Sequence, residues 1–439
     1  MSKQNPLLFC FYFLIFLSFV VSPTLFAADE PPKSSEASVQ EEKILEEARA
    51  KLLETERKKP EIEERAEESK PSPPEVSFFV HQIILQGNEI ISTDELRSLI
   101  ASYEDRELTL PEAQELSHRI EQEYRRRGYV TTIVYVPPQQ VQNQQLTIEV
   151  LEGKTGRLFI EGNRWFSEKA TRRYWHIEEG QPFRYSSLAK NLRLMNENPD
   201  RTVRAILRPG TQRGYTDIHL KIEDHFPGHG GFSFDNQGIR ATGKRRFGFT
   251  ARYNNALFPD SQVIGGFLFG SDFGAVFSQY LVPITSYGTK FIFGFSHSQA
   301  APKKEFEVSD IHGTSTTYSS QIRQLLFDLE HWASYASIGY DFKDSRSRDT
   351  SGTRRRDRLR VLRSGIDFFE YDFLGATALT NQASFGTKLF GATGENNSLA
   401  GRAGAEPDFM KYEGILTRSL KLPFDTRSVL KFSSQYTPH

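Results

Sequence analysis

The chain has 439 residues, 55 Lys and Arg against 56 Asp and Glu, 13% aromatic residues and a single cysteine, Cys10. A net charge of −1 argues against a dedicated nucleic-acid binder, which needs a basic surplus. No apolar run after residue 30 reaches the ~20 residues of a membrane-spanning helix, and the length implies several domains.

Residues 1–27 read as a secretory signal peptide: Lys3 gives a positive end, residues 7–21 are apolar, and Ala27 offers a small residue for cleavage. A short N-terminal anchor helix is the other reading. Cleavage would remove Cys10 and leave a mature chain without disulfide, metal-thiolate site or cysteine nucleophile. Residues 28–75 form a proline-bracketed linker. Between Glu41 and Lys70 it carries eleven acids and eight bases around a narrow stripe of Ile44, Leu45, Ala48, Leu52 and Leu53. That composition fits a solvated helix, a disordered spacer or a helix that docks on the rest of the protein.

Residues 76–225 repeat themselves. Ile84-Leu85-Gln86-Gly87-Asn88 returns as Phe159-Ile160-Glu161-Gly162-Asn163, with the two glycines 75 residues apart, the span of one small domain. The first unit (76–153) predicts strand 78–86, helices 93–103 and 111–127, then strands 129–136 and 145–151. Thr93 and Asp94 can cap the first helix, Pro111 sits in the first turn of the second, and Gly128 follows its basic last turn. The second unit (154–225) predicts strand 156–161, helices 167–176 and 185–196, and strands 202–208 and 216–223, with Ser167 as a cap.

From 226 to 439 apolar and polar residues alternate in short runs. Phe291, Phe293 and Phe295 oppose Lys290, Gly294 and Ser296, and Ile338, Tyr340 and Phe342 oppose Ser337, Gly339 and Asp341. Side chains alternate faces along a strand, so each run has one greasy and one wet face. Eleven strands are expected near 230–237, 244–255, 261–270, 274–283, 288–297, 318–329, 334–343, 357–369, 376–390, 408–420 and 427–436. The connections at 256–260, 284–287, 330–333, 370–375 and 421–426 are short, whereas 298–317, 344–356 and 391–407 are long. A soluble sheet with one buried face also alternates, but short turns on one side and long loops on the other are the habit of transmembrane barrels. The wet face would put Arg252, Lys290, Asp341, Arg363, Lys388 and Lys431 in a pore lumen, unless they simply pair as ordinary water-facing residues.

Two strand-helix-helix-strand-strand units ahead of such a sheet resemble POTRA domains. Tyr124-Arg125-Arg126-Arg127-Gly128-Tyr129-Val130-Thr131-Thr132 with Val136-Pro137-Pro138-Gln139 resembles the first POTRA domain of two-partner secretion transporters of the haemolysin-activator type. Residues 204–211 and the segment Phe234-Asp235-Asn236-Gln237-Gly238 are similar to that family's second POTRA hairpin and barrel entry. The resemblance implies α+β POTRA domains followed by an antiparallel, all-β transmembrane barrel in the bacterial outer membrane. It implies a monomer that takes an unfolded exoprotein through its N-terminal secretion domain and threads it outward past outer-membrane lipid. It also implies a plug helix, at whose place residues 41–69 stand. If the POTRA sheet keeps the family order, strand 129–136 is an edge able to pair with the exoprotein, and Tyr129, Val130, Thr132, Val134 and Val136 are the candidate contacts. The alternative is that these side chains pack under the helices. The family's sixteen strands and sixth outer loop have no counterpart in eleven strands, so the barrel is expected to be incomplete and not to insert alone as a stable pore. No phosphate loop or nucleophile elbow is found, so no enzyme, cofactor, metal or nucleotide is expected. An insertase of the same superfamily and a passive porin are the competing readings.

Overall fold

The computed structural model describes residues 62–64 and 77–438, apart from 142, 237, 304–309, 353, 395, 396, 402–405 and 425. The expected signal peptide and nearly all of the charged linker lie outside the described residues. Within the linker, β1 (Ile62–Glu64) is a strand rather than part of a helix. It lies parallel to β8 (Arg201–Pro209), with Ile62 opposite Ala205 and Glu64 opposite Leu207.

The first module runs β2 (Ser77–Val80), β3 (Gln82–Gln86), α1 (Thr93–Ile100), β4 (Arg106–Thr109), α2 (Leu110–Arg126), β5 (Ile133–Tyr135) and β6 (Gln145–Leu151). The first helix is capped by Ser92, not Thr93 or Asp94. The Ser92 hydroxyl accepts from the Glu95 amide, and Glu95 reaches back in a reciprocal capping box. Thr109 and Glu112 repeat the device on α2, where Pro111 sits in the first turn. Each cap is worth about 1 kcal/mol. Ala113, Leu116, Ile120 and Tyr124 recur at helical spacing, and their buried stripe packs over the sheet with Leu96 and Ile100. One expected strand is two, broken at His81: β2 pairs with the unforeseen β4, and β3 with β6.

The second module repeats the plan with β7 (Lys154–Glu161), α3 (Glu168–Arg172, capped by Ser167), α4 (Tyr185–Met195), β8 and β9 (Tyr215–Asp224). The sequence repeat has a structural basis. Gly87 and Gly162 take φ of +87° and +90°, and a Cβ on either would stand 2.4 Å from the carbonyl oxygen of Val150 or Ile222. Only glycine fits such a place. The next residue behaves alike in both units: Asn88 donates to the Ile91 carbonyl at 3.0 Å, and Asn163 to the Phe166 carbonyl at 3.1 Å.

The remaining eleven strands form one antiparallel meander: β10 (Gly228–Asp235), β11 (Arg246–Tyr253), β12 (Gln262–Phe269), β13 (Phe273–Pro283), β14 (Thr289–Ala300), β15 (His312–Asp328), β16 (Trp332–Arg348), β17 (Arg354–Asp372), β18 (Gly375–Gly386), β19 (Met410–Leu422) and β20 (Thr426–Tyr436). The order is linear, so the sheet is not closed: among the described residues β10 and β20 each pair on one side only. Three strands are longer than the alternation suggests. β15 begins at His312, β16 runs on to Arg348 and β17 starts at Arg354, so 312–317 of the long connection expected at 298–317, and 344–348 and 354–356 of the one expected at 344–356, are strand. Ser, Thr, Arg and Asp continue the cross-strand ladder there without the apolar half of the pattern.

Candidate functional site

Directly opposed residues in an antiparallel ladder share a face, so the register sorts the sheet into two surfaces. One carries Phe249 opposite Phe267, Phe295 opposite Tyr318 and Tyr318 opposite Phe342, and Ile322 opposite Ile338. It is aromatic and outward: Phe293 is 42% exposed and Ile338 54%. The other carries Ser298 opposite Ser315, Ser296 opposite Thr317, Gly294 opposite Ser319, and Ser337 opposite Gly365. Small hydroxylated residues and glycines line that face, and Ser296, Ser298, Ser315 and Thr317 on it are buried.

The expected lumen residues divide. Arg252 lies on the polar face opposite Ile264, and Lys431 on the same face opposite Thr417. Asp341 and Arg363 pair at 2.6 Å, with Arg363 buried. Lys290 stands on the polar face but at its lower end, and its ammonium meets Glu197 of the second module at 3.0 Å. Lys388 is a correction. It lies beyond the end of β18, where the ladder stops at Gly386, and its exposed side chain pairs with Asp408 at 2.8 Å. The pair Arg323–Asp367 at 3.0 Å, with the Arg323 guanidinium 4.0 Å above the Tyr335 ring, also belongs to this face and was not anticipated.

The second module meets one end of the sheet through a buried polar joint that the sequence did not announce. Arg201, 1% exposed, reaches Asp260 in the β11–β12 turn at 3.1 Å and donates twice to the Met195 carbonyl. Arg193 pairs with Asp328 at 2.8 Å, both nearly buried. Asp200 accepts from Asn254 at 2.7 Å and meets His229 Nε2 at 2.8 Å, and Arg173 donates to the Pro283 and Ile284 carbonyls. His229 is the second residue of β10. These contacts mark the turns after β11, β13 and β15 as the module side, and the connections after β10, β12, β14, β16 and β18 as the far side.

The five expected contact residues are not on one free strand. Gly128, at φ +91°, turns the chain; the Tyr129 amide donates to the Tyr124 carbonyl and the Thr132 amide to the Tyr129 carbonyl. That winding keeps 129–132 out of the ladder, so β5 is three residues long. Tyr129, Val134 and Val136 pack into the first module's core, Val130 packs against the second module's core, and Thr132 is buried. The segment is a joint between modules: the Tyr185 amide donates to the Gly128 carbonyl at 2.9 Å, and the Arg184 guanidinium lies 5.3 Å over the Tyr129 ring. The basic turn before it is internally satisfied. Hydrogen bonds from Arg126 and then Arg127 hold the Glu123 carboxyl down to about 2, and burial pushes up the Tyr124 phenol, which donates to Glu152. What remains available is backbone. β5 is an edge, since the sheet order is β3-β6-β5, and Ile133 stands 52% exposed on it.

Residues 78–153 match the POTRA domain, ShlB-type, and residues 214–439, just over half the chain, match the haemolysin secretion/activation protein ShlB/FhaC/HecB. The outer membrane transporter CdiB of Dickeya dadantii is 27% identical over 178 residues, and the heme/hemopexin transporter protein HuxB of Haemophilus influenzae 26% over 176. Each match takes 40% of this chain and 31% of the relative's own length. In fold the chain is similar to CdiB from Escherichia coli, with TM-score 0.70 at 18% identity over 94% of this chain and 78% of that one. The corresponding values for CdiB from Acinetobacter baumannii are 0.61 and 14%, over 94% and 79%.

Proposed function

The chain belongs to the haemolysin secretion/activation protein ShlB/FhaC/HecB family, and from that premise we propose that it exports a large unfolded exoprotein across the bacterial outer membrane, the POTRA modules receiving it on the periplasmic side. The observation that carries this reading is the buried joint between the second POTRA module and a sheet whose inner face is lined by Ser, Thr and Gly. A receptor held rigidly at the end of a surface lined by small polar side chains can hand an extended chain directly to it. The relatives' printed names, an outer membrane transporter and a heme/hemopexin transporter, support transport as the activity class.

Recognition falls to sheet edges, because an unpaired strand edge is a template for an extended polypeptide. The edge of β5 is unpaired among the described residues, and β8 already carries an added strand, β1 of the same chain. Of the POTRA edges β3, β5 and β7 that end these two sheets among the described residues, the one at Ile133, a residue 52% exposed, takes the exoprotein's secretion domain, backbone bonds supplying affinity and Ile133 a side-chain contact. Arg363 with Asp341 and Arg323 with Asp367 keep the lumen charged but locally neutral, which hydrates the path without holding a passing chain. The role involves no catalytic step, cofactor, nucleotide or nucleic acid, and a single copy suffices. A photo-crosslinker in place of Ile133 should capture an exoprotein's amino-terminal secretion domain during export, and one in place of Glu168, on α3, should not. Capture at Glu168 with none at Ile133 would move recognition elsewhere.

A further inference from the structure

The upper ends of β16 and β17 carry a charge pattern that the export path does not use. These strands have 17 and 19 residues, well beyond the ~9–11 that cross a hydrocarbon layer, so the ends away from the POTRA modules project past the lipid. The register places Phe342 opposite Arg360, Asp344 opposite Arg358, Arg346 opposite Arg356 and Arg348 opposite Arg354. All share the outward face of Ile338 and Tyr340, not the lumen. Six arginines thus stand directly above the aromatic belt with one aspartate among them. Asp344 takes Arg360 at 2.9 Å, Arg356 at 3.4 Å and Arg358 at 3.8 Å. Among the described residues no acid is paired with Arg346, Arg348 or Arg354. Like charges placed directly opposite are destabilising in a ladder, so Arg346 facing Arg356 and Arg348 facing Arg354 form a site that wants an anion. A groove of about 660 Å³ opens on the same face, with Phe293, Tyr318 and Phe342 along its lower wall and Arg346, Arg360 and the Asp344 carboxylate, already paired with Arg360, along its upper one.

We propose that this groove and the arginine row at its upper rim bind a phosphorylated glycolipid of the outer leaflet, its phosphate held at the rim by Arg346 and the facing Arg356 and flanked by Arg348 and Arg354, its acyl chains lying in the groove on Phe342, Tyr318 and Phe293. Guanidinium forks match phosphate geometry bidentately, and aromatic rings below a basic row repeat the order of layers at a membrane surface, hydrocarbon and then headgroup. Lumen-facing residues of the same hairpin, Lys343 opposite Leu359 and Arg355 opposite Ser347, point away from the groove and take no part. The proposal rests on the sheet being an outer-membrane wall.

The test is native mass spectrometry of the full chain extracted from outer membranes in mild detergent, with Arg346→Gln/Arg356→Gln and, as facial control, Lys343→Gln/Arg355→Gln. With two phosphate-facing charges removed, the first variant should retain the glycolipid at least about tenfold less and the control as well as the unaltered protein. Inorganic phosphate in excess should not displace the lipid, because it lacks the acyl contacts, while a dephosphorylated glycolipid should fail to replace it. Equal retention by both variants, or no retained glycolipid on a membrane-extracted chain, would overturn the proposal and leave the wall intact. A chain recovered only from the soluble periplasm would overturn the wall itself.

Discussion

Arg201→Met should destabilise the joint between the second POTRA module and the sheet by about 3–5 kcal/mol, the range for leaving one member of a buried ion pair alone. Methionine keeps most of the volume between Phe166 and Tyr174, whose rings lie 5.2 and 6.0 Å from the guanidinium. The loss is therefore charge and hydrogen bonding, not packing. Asp260, itself buried, would face no cation, and the Met195 carbonyl would lose two donors. Adding Asp260→Leu should recover most of the loss, since a hydrophobic replacement of both partners is commonly neutral. Protease resistance of the joint in detergent gives the readout. A single variant within about 1 kcal/mol of the parent would mean that water reaches this pair.

Ile133→Pro should cut exoprotein secretion roughly tenfold or more while the chain reaches the outer membrane at its usual level. A backbone pair left unmade costs about 1–3 kcal/mol, and proline both removes a donor and keeps an incoming strand at a distance. The position is suited to the test because its side chain is half exposed and leaves the core untouched. Thr132, one residue earlier, is buried, so proline there would unfold the module and say nothing of the edge. Quantifying exoprotein in the medium against chain in the membrane separates the outcomes. Unchanged secretion removes β5 from recognition, and loss of both together marks a folding defect.

The eleven strands were legible because their determinant is local. Alternation from Phe291 to Ser296, or from Ser337 to Phe342, fixes which face meets oil whatever the rest of the chain does. The Gly-Asn repeat was legible for the same reason: a left-handed glycine pressed against a neighbouring carbonyl tolerates no other residue. The upper halves of β16 and β17 were hidden because Arg346, Arg348, Arg354 and Arg356 read as loop polarity when only lipid is expected to order a strand. Strand 129–136 was overread because its β-branched residues signal burial as readily as a ladder. Here Val130 is half-buried against the second module and Thr132 is buried. That joint was invisible in sequence. Arg201 and Asp260 are 59 positions apart, and Arg193 and Asp328 are 135 apart; nothing local marks either arginine as buried or names its partner. Among the proposed lumen residues, Lys388 was misplaced by strand length: the ladder ends two residues before it.

Single cysteines introduced in turn at positions 378–383 of β18, all half-buried, in outer-membrane vesicles, test the central claim most directly. A water-soluble thiol reagent should label positions 378, 380 and 382 and spare 379, 381 and 383, the latter three reacting only with a lipid-soluble probe. Uniform labelling of all six by the water-soluble reagent would contradict a wall with hydrocarbon on one side and water on the other.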